Sequence, residues 1–307
     1  MSKTDIEISI YTPTYNRSNL IGNLFDSLMQ QSCKRFEWLI YDDSEDDKTE
    51  KKVNIFRKNA DFNVKYTKRA GNQERGISRS FNRMLKDAQG RIVFKVDDDD
   101  ILHKDAVQII LEIEKTISDK SKYAGVAGLR NYKNGAIIGG EWRWPQEYLD
   151  ATNLERERFH LTGDKAEAYY TSVLRKYGPM PTVSGESYTW EAVLWDRIGH
   201  AGLKIRWFNK AIYTTEYLPG GLTAIEYDAR ECNFKTYTIL ISERMNYSEL
   251  GWLSRFLSLT RYCVVMRKKN LTPVAVKKNF ERHFYMLILA YYTSIVLVLK
   301  NKVKGMV

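Results

Sequence analysis

Four consecutive acids, Asp97, Asp98, Asp99 and Asp100, follow directly on the apolar run Ile92-Val93-Phe94-Lys95-Val96. A run of that length closed by acids reads as a buried strand that stops at a loop. Like charges packed together repel by roughly 1 kcal/mol per close pair in water, and more where water is scarce, so a compensating cation is expected. Hard carboxylate oxygens suit Mg2+ or Mn2+, which bind through one or two carboxylates plus the phosphates of a substrate. The plainer reading is a solvated acidic turn at a helix start, where acids are also favoured. A second pair, Asp42-Asp43, closes the strand-like run Phe36 to Tyr41 in the same way.

The elements that must carry these acids follow from the hydrophobic period. Residues 6 to 12 read as a first strand, and Leu20, Ile21, Leu24, Phe25 and Leu28 recur at helical spacing behind it. Residues 63 to 68 make a third strand, 77 to 88 a helix, 91 to 96 the strand that delivers the four acids, and 103 to 118 another helix. Repeated switching between periods of 2 and 3.6 marks βαβ units and a mostly parallel sheet, whose ligands bind at the carboxyl ends of the strands. Beyond this the pattern loosens. Residues 141 to 160, with Trp142 and Trp144, read as substrate-contacting loops, 165 to 176 as helical, and a further helix begins near Ser187. Residues 229 to 299 are helical in pattern with few breakers.

Tyr11-Thr12-Pro13-Thr14-Tyr15-Asn16-Arg17 at the end of the first strand, Asp42-Asp43-Ser44 at the second and Asp97 to Asp100 at the fourth occur in an order that resembles glycosyltransferase family 2. That resemblance, over roughly residues 6 to 220, implies the GT-A fold: a Rossmann-like, mostly parallel sheet flanked by helices, here with a helical C-terminal extension. It implies an inverting, metal-dependent enzyme using a nucleotide-sugar donor, with Thr12, Pro13 and Tyr15 lining the nucleotide pocket and Asp43 accepting a hydrogen bond from the base ring. The family's paired acids fall on Asp97 and Asp99. Asp99 is then the direct ligand of Mn2+ or Mg2+, Asp97 lies nearer the ribose, and Asp98, on the nucleotide side, or Asp100 supports. Inversion needs a proton acceptor opposite the leaving diphosphate, and the family pattern places it at Glu191, with Glu186 as runner-up. Arg75 and Arg79, flanking Gly76, stand where the family often has a base facing the diphosphate, although helix surfaces are full of solvated arginines. The segment Glu216 to Thr223, with paired glycines, reads either as a loop closing over bound donor or as a plain turn.

Charge divides the chain. The net charge of +10 lies wholly in residues 251 to 307, which hold 11 Lys or Arg and one acid, Glu281. Within that segment the 16 residues from Phe284 to Leu299 carry no charge and are bracketed by lysines and arginines. About 20 apolar residues are needed to span a bilayer, so a helix lying in the interface among anionic headgroups is the better fit. The alternative is an apolar helix docked on the transferase domain or forming a homodimer. Such an apolar run makes a poor phosphate-tracking surface, which argues against nucleic acid. Three unevenly spaced cysteines, Cys33, Cys232 and Cys263, supply neither a disulfide framework nor a zinc site.

These observations lead to the expectation of a GT-A domain over residues 1–225, with a nucleotide half of about 1–100 and an acceptor half of about 101–225, and a basic helical region over 226–307 that meets a membrane surface. With no secretion signal at the N-terminus, the expected place is the cytoplasm, peripheral to the inner face of the cell membrane. The expected reaction transfers a sugar, UDP-linked, to a glycan or lipid-linked acceptor in bacterial surface polysaccharide synthesis. A sugar nucleotidyltransferase would want a Gly-rich loop after the first strand, and residues 12 to 17 contain no glycine. An inactive scaffold is the non-enzymatic alternative.

Overall fold

A computed structural model of the chain describes residues 6–215 and 226–304. The Glu216 to Thr223 segment lies outside the described residues. The first half runs β1 (Ile8–Thr14), α1 (Ile21–Met29), β2 (Phe36–Asp42), α2 (Lys48–Asn59), β3 (Asn63–Lys68), α3 (Ile77–Asp87), β4 (Ile92–Lys95), β5 (Ile101–Leu102) and α4 (Ala106–Lys115). It continues through β6 (Tyr123–Asn131), β7 (Tyr148–Ala151), β8 (Lys165–Tyr170), α5 (Thr171–Tyr177), α6 (Ala192–His200) and β9 (Lys204–Thr214). Four helices follow: α7 (Glu226–Cys232), α8 (Phe234–Met245), α9 (Trp252–Lys268) and α10 (Phe284–Lys304).

One sheet has the order β3-β2-β1-β4-β8-β6-β9-β5, with β7 also on β9. Its first four strands pair in parallel, and β2 is buried along its whole length, as a strand covered on both faces must be. Past β4 the sheet is mixed: β8 runs antiparallel to both β4 and β6, while β6 and β9 are parallel. One face packs Trp38 and Phe94 under α1, α2 and α4 through Phe25, Phe56 and Ile110. The other packs Tyr11, Leu39 and Trp207 under α3, α5 and α6 through Phe81, Leu174 and Leu194.

Residues 165–176, expected to be helical throughout, divide into β8 and then α5. Lys, Ala and Glu favour helices, but pairing with β6 overrides that preference. The close approach needs small residues: Gly125 has φ +154°, and a Cβ there would lie 2.0 Å from the Ala168 carbonyl oxygen. The helix expected from near Ser187 starts at Ala192.

The C-terminal helices form a third core of Phe234, Tyr237, Tyr262, Phe280 and Leu287, and Val193 of α6 belongs to it. Two ion pairs strap α8 to α6: Arg244 to Asp196 at 2.6 Å and Arg197 to Glu243 at 2.6 Å. Helix α10 buries Leu287 and Ala290, and Arg267 of α9 donates to Ser294 at 2.8 Å. No helix among the described residues is long and apolar enough to cross a membrane.

Candidate active site

Parallel pairing brings the ends of β1, β2 and β4 together, and with them the acids. Chain alternation then divides the four aspartates. Asp97 and Asp99 keep side chains 34% and 15% exposed, whereas Asp98 and Asp100 are buried at 2% and 4%. Asp98 accepts from Thr14 Oγ1 at 2.6 Å and from Arg17 Nη1 at 3.1 Å, and burial pushes its carboxyl up to about 6. Asp100 accepts from the Tyr213 hydroxyl at 2.7 Å, and burial followed by the charge of Asp97 pushes it up to about 7. The same hydroxyl accepts from the Asp97 backbone N–H at 3.0 Å. Asp98, expected at the nucleotide, and Asp100, expected to support a metal, therefore turn inward and brace the loop. Arg17 also donates to Asp99 Oδ2 at 2.8 Å.

The nucleotide-side residues are placed as follows. The Thr12 hydroxyl accepts from Trp38 Nε1 at 3.0 Å within the core, so it does not line a pocket as expected. Pro13 is half-buried and Tyr15 exposed, with the Arg75 guanidinium 4.7 Å from the Tyr15 ring centroid. The Asp43 carboxylate accepts from the Gly76 N–H at 2.7 Å and from Arg83 Nη2 at 3.2 Å. Burial pushes that carboxyl up, against the pull of Gly76 and Arg83. Gly76 has φ +147°, and a Cβ there would lie 2.6 Å from the Ser187 carbonyl oxygen. Only glycine lets the segment before α6 come this close to Asp43.

Arg79 and Glu186 serve that segment structurally, contrary to expectation. Arg79 donates to the carbonyls of Val183 at 2.8 Å and Glu186 at 2.7 Å and pairs with Glu74, so it clamps the segment instead of facing a diphosphate. The Glu186 carboxylate accepts from the backbone N–H groups of Lys235 and Thr236, each at 2.8 Å, and so caps α8. A carboxylate so engaged is committed to the end of α8.

Glu191 stands at the start of α6 but makes no capping bond to it. Its carboxylate meets Lys95 Nζ at 2.9 Å, and the same ammonium lies 3.0 Å from Asp97 Oδ1. Burial opposes the charge on Lys95, yet Asp97 and Glu191 hold its pKa well above the ordinary lysine value. Burial likewise opposes ionisation of Asp97, but Lys95 and Arg130 hold it below the usual carboxylate range. Arg130, from β6, lies over the Tyr213 ring at 4.0 Å with Nη1 3.9 Å from Asp100. Glu167 of β8 completes the group: burial raises its pKa, Arg156 and Arg130 oppose the rise, and Glu191 adds to it. Sequence reasoning missed Lys95, Arg130 and Glu167. A lysine inside an otherwise apolar strand was the available signal for the first; the other two lie on strands that the hydrophobic period did not reveal.

Among the described residues no three His, Cys, Asp or Glu side chains converge as a metal cage. Asp97 and Asp99 are partly exposed hard oxygen donors one residue apart, which fits an ion whose remaining ligands are phosphate and water.

The fold and these acids define a glycosyltransferase of the GT-A class. Residues 9–172 match Glycosyl transferase family 2, and the chain belongs to that family. It is 31% identical over 116 residues to UDP-Glc:alpha-D-GlcNAc-diphosphoundecaprenol beta-1,3-glucosyltransferase WfgD of Escherichia coli, covering 37% of this chain and 44% of that protein. It is 29% identical over 141 residues to chondroitin synthase of Pasteurella multocida, covering 45% of this chain and 14% of that protein. These matches span less than half of each relative. In structure the chain resembles S. aureus TarS 1-349 in complex with UDP-GlcNAc, with a TM-score of 0.59, 18% identity and coverage of 94% and 90%. It also resembles the mannosyltransferase PcManGT from Pyrobaculum calidifontis in complex with GDP-Man and Mn2+, with a TM-score of 0.56, 16% identity and coverage of 96% and 88%. At such identities the likeness is one of fold.

Proposed function

We propose that this chain transfers a sugar, with inversion, from a UDP-linked donor to a hydroxyl of a lipid-linked glycan in bacterial surface polysaccharide synthesis. The observation that carries this reading is the single ammonium of Lys95 shared between Asp97 and Glu191. It joins an acid suited to the diphosphate side and an acid suited to proton removal through one cation. As the acceptor oxygen bonds to the anomeric carbon, the bond from that carbon to the diphosphate breaks and its electron pair leaves with the diphosphate. The hydroxyl proton passes to Glu191. Asp97 and Asp99 would hold Mg2+ or Mn2+, which when bound neutralises charge on the departing diphosphate.

The lipid-linked acceptor is supported by the name of the Escherichia coli relative, a diphosphoundecaprenol glucosyltransferase, and by the surface of the C-terminal helices. Of the twelve large apolar side chains that stay exposed among the described residues, nine fall between 252 and 296. Tyr285, Leu289, Tyr292 and Val296 recur at helical spacing along one face of α10. An apolar face in a strongly basic segment suits an anionic membrane surface.

The test is a screen of nucleotide sugars for Mn2+-dependent transfer or slow hydrolysis, with UDP binding measured by calorimetry with and without the ion. Glu191→Gln should lower turnover by about 10²–10⁴-fold, and Asp99→Ala should abolish the metal-dependent gain in UDP affinity, both with unaltered circular dichroism. A Glu191→Gln protein that turns over like the parent would remove Glu191 from the reaction.

A further inference from the structure

We propose that Lys95 is a positioning residue: its ammonium fixes the carboxylate of Glu191 relative to Asp97, and so relative to the donor. This rests on the transferase reading above. Lys95 is the one charged residue of β4, pairs in register with Tyr11 of central strand β1, and keeps a side chain only 19% exposed. Stability alone gives no reason for it. Burying an ion pair costs each partner several kcal/mol of hydration, and apolar replacements of similar volume are often neutral or better. The bridge also crosses between elements, because Asp97 follows β4 whereas Glu191 immediately precedes α6, 94 residues later by their numbers.

The geometry needs such a link. Glu191 is the residue just before α6, and its side chain is not tied to the helix by a capping bond. A proton acceptor must be held within a few tenths of an ångström of its working place, and a displacement of about 1 Å can cost 10²-fold in rate. Lys95 supplies that restraint from β4, a strand paired on both sides within the sheet. The ammonium also offsets the repulsion between the Asp97 and Glu191 carboxylates.

The experiment compares Lys95→Met, Lys95→Arg and Lys95→Met/Glu191→Gln with the parent, using steady-state transfer and calorimetric UDP affinity. A residue acting through Glu191 gives a split: Lys95→Met lowers kcat by about 10²-fold and leaves donor KM and UDP affinity unchanged. Lys95→Arg, which can still bridge two carboxylates, recovers most of the rate and guards against a general folding defect. In the double variant the losses do not multiply, so it is no slower than Glu191→Gln alone. Weakened UDP affinity with kcat intact would overturn the proposal, because Lys95 would then bind the diphosphate itself. Multiplying losses would overturn it too. Were Glu191→Gln harmless while Lys95→Met remained slow, the assignment of the proton acceptor would fail instead, separating the two ideas.

Discussion

The Tyr213 hydroxyl gives the sharpest test of how the acidic loop is held. Tyr213→Phe removes one oxygen, leaves the ring against Phe94 and under Arg130, and opens no cavity worth counting. Two bonds go: the one donated to Asp100 at 2.7 Å, and the one accepted from the Asp97 N–H at 3.0 Å. Asp100 is buried, so its oxygen is left with little water to replace the hydroxyl. A buried polar group orphaned in this way costs about 1–3 kcal/mol. The partly buried Asp97 N–H adds a smaller amount, for a total of about 2–3 kcal/mol. Urea denaturation at pH 8, where Asp100 is ionised, should show this as a lower midpoint at unchanged m-value. Turnover should fall as well, since Asp97 and Asp99 ride on the loosened loop. A midpoint shift worth less than about 0.5 kcal/mol, the usual scatter for surface changes, would refute the idea that this hydroxyl braces the acids.

Two further outcomes are expected. Glu186→Ala should cost about 1 kcal/mol through loss of the α8 cap while keeping most of the turnover, measured by melting and by initial rates; a loss as deep as that of Glu191→Gln would make Glu186 the proton acceptor after all. Burial lowers Lys165 from its ordinary 10.5 to about 8, so between those values the unfolded chain binds more protons than the folded one and stability rises with pH. Lys165→Met should therefore flatten the rise in urea midpoint between pH 8 and 10, and identical slopes for parent and variant would contradict it.

How much of this was legible in the sequence depended on whether a strand's chemistry was typical of strands. The parallel strands β1, β2 and β4 are mostly apolar and aromatic, and acids close β2 and follow β4, so both their existence and their active ends could be read. Strand β8, Lys-Ala-Glu-Ala-Tyr-Tyr, has helix formers at four of its six positions, and its partner β6 is held close by Gly125. Nothing local distinguishes such a strand from a helix, so Glu167 and Arg130 went unseen with the strands that carry them. Among the acids, type and spacing gave the cluster but not its orientation. Which carboxylates turn inward was decided by Thr14, Arg17 and Tyr213, contacts 81 to 113 residues apart in the chain for Asp98 and Asp100. Glu186 was ambiguous for the same reason, since its partners on α8 lie 49 and 50 residues downstream.

The capping of α8 by Glu186 has a wider meaning. Asn233 receives the N–H groups of Ser187 and Tyr188, each at 3.0 Å, from the same segment, and Arg79 grips that segment from the opposite side. The stretch leading to Glu191 is thus a suspended bridge with one pier in α3 and the other in the carboxy-terminal helices. Those helices are not a detachable anchor. Cutting the chain after β9 would leave the bridge with a single pier, and any force felt by α8 is transmitted to Glu191.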